Sequence, residues 1–231
     1  MAKRQFKAES KRLLDLMVNS IYTHKEIFLR EIISNASDAC DKLCYQALTD
    51  DAVGMSRKDF KIEIKVDKEH RTLTVSDNGI GMDKEDLENN LGVIASSGSY
   101  KFKQEVGDDA KDTDVIGQFG VGFYSAFMVA DHITVVTRKY GADAAWMWQS
   151  SGADGYTITE CERDAVGTDI IMHIKADTDD EKYSEFLESW RLQELVRKYS
   201  DYIRFPIRME VSKTRRKEGS PDDKPEYETY Q

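Results

Sequence analysis

Three polar residues, Glu31, Asn35 and Asp38, recur at steps of four and three within the stretch 26–43, EIFLREIISNASDACDKL. On a helix those steps stack side chains along one face, one turn above the next. Ile27, Phe28, Ile32, Ile33, Ala36, Ala39 and Leu43 recur with the same period, so the polar row borders the buried side. An amide and two carboxylates on a half-buried face are costly unless something binds to them. Two readings stand, a ligand-binding row or the solvated stripe of a surface helix.

A second group is Asp77-Asn78-Gly79-Ile80-Gly81-Met82. Two glycines two residues apart permit positive φ and let a ligand approach the main chain. A carboxylate held there can accept a hydrogen bond from the exocyclic amine of a base, which distinguishes adenine from a base presenting a carbonyl. The competing reading is an ordinary Asp-Asn-Gly hairpin turn. A third group is Gly117, Gly120 and Gly122, leading into Phe123, Ala126, Phe127 and Val129. Glycines spaced this way before a helix fit a phosphate cradle, with backbone N–H groups and the helix dipole facing the anion. The spacing is not GxxxxGK[ST], and no strand directly precedes it as in the dinucleotide fingerprint. The preceding polar residues, 95–116, are numerous enough to form a lid over a ligand.

Elements to position these groups are visible in the pattern. Ser10 reads as the N-cap of a helix through Leu13, Leu14, Leu16, Met17 and Ile21, after a short extended arm over 3–9. The helix of the polar row follows, with Thr23 and Glu26 spaced as a capping box. Residues 60–67 and 71–77 alternate apolar and polar with a short polar turn between them, a hairpin covered on one side. A short amphipathic helix is expected over 84–92, and strands over 132–138, 145–151, 155–160 and 168–174. A long helical pattern, in one or two pieces, runs over 180–203 to Pro206, followed by a last strand, IRMEVS. Helices early, an antiparallel sheet in the middle and a late helix give an α+β two-layer sandwich, a mostly antiparallel twisted sheet with helices on one face. Residues 1–212 are expected to be one domain. Residues 213–231 are charged, carry two of the three prolines and have linker composition, which suggests a portion of a longer protein.

Composition excludes several classes. The chain has 231 residues, a net charge of −10 and a pI near 5.0, against a broad nucleic-acid footprint. The basic clusters at Lys3, Arg4, Lys7, Lys11, Arg12 and at Lys213, Arg215, Arg216, Lys217 read as solvated. No apolar run suffices to span a bilayer, and the N-terminus lacks the apolar core of a signal peptide, so a cytoplasmic protein is expected. Cys40, Cys44 and Cys161 read as reduced thiols, and the four histidines form no metal-ligand pair.

The helix EIFLREIISNASDACDKL, then DNGIGM, then IGQFGVGFYSAF, then VGT at 166–168, resemble in order and spacing the N-terminal ATP-binding domain of the heat-shock protein 90 family, closest to its bacterial branch. The resemblance runs from Phe6 to about Val211. It extends to the GHKL superfamily, which unites gyrase B, this chaperone, histidine kinases and MutL. The resemblance implies ATP and ADP binding with Mg²⁺. It implies Glu31 as the base that activates water, Asn35 on Mg²⁺, and Asp77 on the adenine amine with Gly81 and Thr168 assisting through water. It further implies Met82 against the base, Asn90 near the sugar and phosphates, Asp38 in the same pocket, and Gly117, Gly120, Val121, Gly122 and Phe123 as the phosphate turn. Residues 94–122 match the lid. Where relatives often read Ala-Lys-Ser-Gly, this chain has Ala95-Ser96-Ser97-Gly98, so phosphate affinity or lid behaviour is expected to differ. The family's arginine from a middle domain and its dimerising C-terminal domain are absent here. The resemblance thus implies little turnover by this chain, a mainly monomeric state, and a homodimer acting on client proteins at full length. The alternatives are a GHKL DNA enzyme of the gyrase B or MutL type, which the acidic balance opposes, and a non-hydrolytic nucleotide-binding module.

Overall fold

Ile62 and Ile64 are buried while Glu63 and Lys65 face away, and the strand they form, β1 (Ile62–Asp67), pairs antiparallel with β2 (Thr72–Asp77). The computed structural model describes residues 24–93, 122–152 and 154–211, with the backbone of 213–216 and 227–230. Beyond the hairpin, the chain forms β3 (Ala130–Arg138), β4 (Ala145–Ser150), β5 (Tyr156–Cys161), β6 (Gly167–Ile174) and β7 (Ile207–Met209). The seven strands make one sheet in the order β5-β4-β3-β6-β2-β1-β7. Every neighbouring pair is antiparallel except β1 with β7, which is parallel. The expected strands are thus present, within a residue or two at most ends.

The principal helix, α1 (Ile27–Gln46), lies against this sheet. Its Phe28, Leu29, Ile32, Ile33 and Ala36 share one buried cluster with Leu73 and Val75 of β2, Ile133 and Val135 of β3, and Ile170 and Met172 of β6. Each such side chain removed from water contributes about 1.5–3 kcal/mol, which holds the helix on the sheet more firmly than helix propensity alone. A second helix, α2 (Lys84–Asn90), is entered through a capping box between Asp83 and Asp86. The third, α3 (Ser189–Tyr199), is preceded by a 3₁₀ turn over Tyr183–Leu187, so the late helical pattern is in two pieces.

Three expectations change. Glu26 precedes α1 but makes no capping hydrogen bond there. Its carboxylate instead joins Arg191, Lys198 and Tyr199 on α3, because two cations and a hydroxyl outcompete a single backbone N–H. Residues 122–128 form a 3₁₀ turn, not the α-helix expected from Phe123, Ala126 and Phe127. In the stretch of linker composition, β8 (Lys213–Arg216) pairs antiparallel with β9 (Tyr227–Tyr230), where threonine and tyrosine supply strand propensity. The arm, first helix and lid expectations fall outside the described residues.

Candidate functional site

The Asp-Asn-Gly turn follows β2 and is clamped from two sides. Gly79 N–H donates to Asp77 Oδ1 at 2.9 Å, closing an Asx turn. On one side, a Cβ at Gly79 would collide with the carbonyl of Ala39 on α1, and Ile80 N–H donates to that carbonyl oxygen at 3.0 Å. On the other, Gly81 has φ +68°, and a Cβ there would collide with the Arg138 carbonyl at the end of β3. The two glycines therefore admit neighbouring protein backbones, a packing role that their spacing in the sequence did not reveal. Asn78 ties the turn to the approach to β1, accepting from Lys61 N–H and donating to the Asp59 carbonyl, both at 2.8 Å. A simple hairpin is excluded, since the turn leads from β2 into α2.

β3 holds the rest of the turn. Met82 N–H donates to Thr137 Oγ1 at 2.9 Å, and Tyr140 N–H to the Ile80 carbonyl at 2.8 Å. Lys139 Nζ lies 2.7 Å from both Asp83 and Asp86. Thr168 on β6 stands opposite Asp77 on β2 and opposite Thr137 on β3. Cross-strand partners share a face. Asp77, Thr168 and Thr137 consequently form a polar row over three adjacent strands, exposed by 7%, 4% and 0%. The sequence singled out Asp77 and Thr168. Thr137 was missed because, within HITVVTR, it reads as an ordinary strand residue.

Burial raises the Asp77 carboxyl to about 7. The Gly79 N–H, the Arg163 charge and the Thr168 N–H pull the other way, and Asp169, which pairs with Arg163, pushes upward again. Desolvation disfavours the charged form, and two backbone donors and one cation do not fully offset it. A carboxyl so perturbed, at the edge of a polar row, is a functional-site candidate.

Glu31, Asn35 and Asp38 lie along α1 as expected, with Asp38 1% exposed and the other two half-buried. Arg30 donates from Nε and Nη2 to Glu31 Oε1, at 3.0 and 2.5 Å. The opposite oxygen faces Gly122: a Cβ there would sit 2.5 Å from Glu31 Oε2. The last glycine of the phosphate-turn motif is thus brought to the candidate base. Phe123 is buried and packs edge-on against Trp148 and Tyr124, so it braces the turn from the core. Met82 is half-buried against the main core, and Asn90 ends α2, half-buried. Gly117, Gly120 and Val121 lie outside the described residues. Among the described residues no three His, Cys, Asp or Glu side chains converge as a metal cluster.

Residues 22–168 match the family model described as "Histidine kinase-, DNA gyrase B-, and HSP90-like ATPase", and the chain belongs to this family. Residues 185–231 match the "Hsp90 protein" model. Among individual proteins, the chain is 59% identical over 228 residues to the chaperone protein HtpG of Clostridium perfringens, covering 98% of this chain and 36% of that protein. It is 58% identical over 224 residues to the HtpG of Bacillus subtilis, covering 96% and 36%. The chain therefore spans about a third of the length of these curated relatives. Among the described residues no helix is long and apolar enough to cross a membrane.

Proposed function

We propose that this chain is the nucleotide-binding domain of an ATP-dependent chaperone, with the adenine on the Asp77 side and the phosphates at the glycine turn that ends at Gly122, beside Glu31. The observation that carries the reading is the buried row of Asp77 and Thr168, set beside a turn clamped between α1 and β3. An ionised Asp77 accepts from the base's amine, with Gly81 and Thr168 assisting, and Met82 packs against the ring. Asn35 would hold Mg²⁺, which when bound would supply positive charge against that of the phosphates. Asp38 and Asn90 complete the polar lining, and Gly117, Gly120, Val121, Gly122 and Phe123 form the phosphate turn. Glu31, steadied by Arg30, orients and deprotonates the attacking water. Closure of residues 94–122 as a lid would commit ATP and couple the nucleotide to further domains of the longer protein.

The relatives' name and the match of 185–231 support the chaperone branch over a gyrase B or MutL type of enzyme. The further expectations are a cytoplasmic protein that acts on client polypeptides and dimerises at full length, with this chain alone monomeric and slow to hydrolyse ATP. Calorimetric titration with ADP and Mg²⁺, beside Asp77→Asn, tests the pocket. Saturable binding that the substitution removes is expected, because an amide offers a donor where the base also donates. Equal binding by both chains would refute it. In the longer protein, Glu31→Ala should abolish turnover while ATP still binds, and undiminished turnover would remove Glu31 from its role.

A further inference from the structure

We propose that Thr137 is a positioning residue: through its bonds to Met82, Gly167 and Thr168 it fixes the Thr168 hydroxyl as an acceptor toward the pocket, and so makes the site prefer an amino-bearing base to a carbonyl-bearing one. The inference rests on the reading of the Asp77 pocket as the base site. Thr137 Oγ1 has three polar neighbours, Met82 N at 2.9 Å, the Gly167 carbonyl oxygen at 3.0 Å and Thr168 Oγ1 at 2.9 Å. A hydroxyl has one hydrogen and two lone pairs. The Met82 N–H can only donate, and the Gly167 carbonyl can only accept. One assignment satisfies all three contacts: Thr137 donates to Gly167 and accepts from both Met82 and Thr168. At 0% exposure water cannot replace an unmet partner, and leaving one unmet costs about 1–3 kcal/mol.

The consequence reaches the pocket through Thr168. Its hydrogen is committed to Thr137, away from Asp77, so its oxygen offers lone pairs only. Asp77, the cross-strand neighbour of Thr168, is acceptor-only when ionised. With Asp77 ionised, the row therefore presents two acceptors and no hydroxyl donor, which suits an amine with two hydrogens. A carbonyl oxygen in that place meets only lone pairs. Selectivity of this kind follows from buried polar groups that the wrong ligand leaves unpaired.

The test is calorimetric titration of the 231-residue chain with ADP and with inosine diphosphate, magnesium present, for the parent, Thr137→Val and Thr137→Ser. The parent should favour ADP by about tenfold or more, the effect of one or two well-formed hydrogen bonds. Thr137→Val keeps the shape and removes the hydroxyl, so it should narrow that ratio by about fivefold, and Thr137→Ser should restore it. A merely structural role would weaken both nucleotides alike and leave the ratio unchanged. An unchanged ratio in a folded Thr137→Val chain overturns the inference. If that variant does not fold, Thr168→Val leaves the bonds of Thr137 to Met82 and Gly167 in place and carries the same expectation, and an unchanged ratio there overturns it equally. A parent that binds both nucleotides equally defeats this inference together with the contact of Asp77 to the base's amine, but leaves a nucleotide site, whereas a parent that binds neither defeats the reading of the chain as a nucleotide-binding domain as well.

Discussion

With its carboxyl raised to about 7 by burial, Asp77 should make nucleotide binding depend on pH near neutrality. Only the ionised form is a full acceptor for the base's amine. For a group titrating near 7, roughly one molecule in eleven is ionised at pH 6 and ten in eleven at pH 8. If the bound state keeps Asp77 ionised, the dissociation constant for ADP should rise about tenfold between pH 8 and pH 6, near 1.4 kcal/mol. Binding at pH 7 should release about half a proton. Titration in two buffers of different ionisation enthalpy measures that release directly. The same shift carries a stability cost of known sign. The folded value lies above the ordinary 3.8, so the stability it contributes is present below 3.8 and is lost as pH rises through 7. The loss above that window is on the order of 4 kcal/mol. Without nucleotide, Asp77→Asn should therefore melt at the same or a higher temperature than the parent at pH 8, even though the proposed pocket expects it to lose ADP binding. A flat affinity between pH 6 and 8 with no proton release, or an Asp77→Asn chain that melts well below the parent at pH 8, would refute the reasoning.

Two glycines near the site should respond differently to alanine. Gly122→Ala pushes only on the end of the flexible Glu31 side chain, so the fold should hold while ATP turnover in the longer protein falls tenfold or more, about the effect of a displaced general base. Gly79→Ala drives a methyl into the backbone of α1 at Ala39, which should cost about 3 kcal/mol or more in chemical denaturation. Equal stability of the two variants would contradict the packing described. Glu26 is held down to about 2 by the Tyr199 hydroxyl, Lys198 and Arg191. Its stabilisation is therefore present above the ordinary 4.5 and lost as pH falls to 2. Glu26→Gln should lower stability at pH 6 and much less at pH 2.5, as denaturation midpoints at the two pH values would show. A deficit of equal size at both would assign the acid sensitivity elsewhere.

The sheet was legible because alternation in stretches such as FKIEIKVD and RTLTVSD leaves one register in which the apolar set is buried. The polar row of α1 was legible for the same reason at helical period, and Glu31, Asn35 and Asp38 share that element. What could not be read were relations between distant segments. The meeting of Gly79 with Ala39, and of Gly81 with Arg138, depends on which backbones the fold brings together. Glu26 had a plausible local partner, and a distant cluster on α3 prevailed because charge-assisted bonds are the stronger. Thr137 gave no local signal, since its role arises from a neighbour on β6 some thirty residues later. The late charged stretch is a reminder that composition describes average solvation and does not by itself decide backbone pairing, here of 213–216 with 227–230.

The place of β6 has a consequence for synthesis on the ribosome. Chain order delivers β1 and β2 first and β3, β4 and β5 later, yet neither group is hydrogen-bonded to the other. β6 is the last of these strands to be made, and it enters between β2 and β3, pairing with both. Until residues 167–174 have left the exit tunnel, the nascent chain holds two separate antiparallel pieces with open inner edges, the kind of surface that invites mispairing. The polar row proposed to bind the base cannot exist at that stage, because Thr168 is its middle member. Nucleotide thus cannot stabilise the early nascent chain, and recognition of ligand and closure of the sheet are completed by the same eight residues.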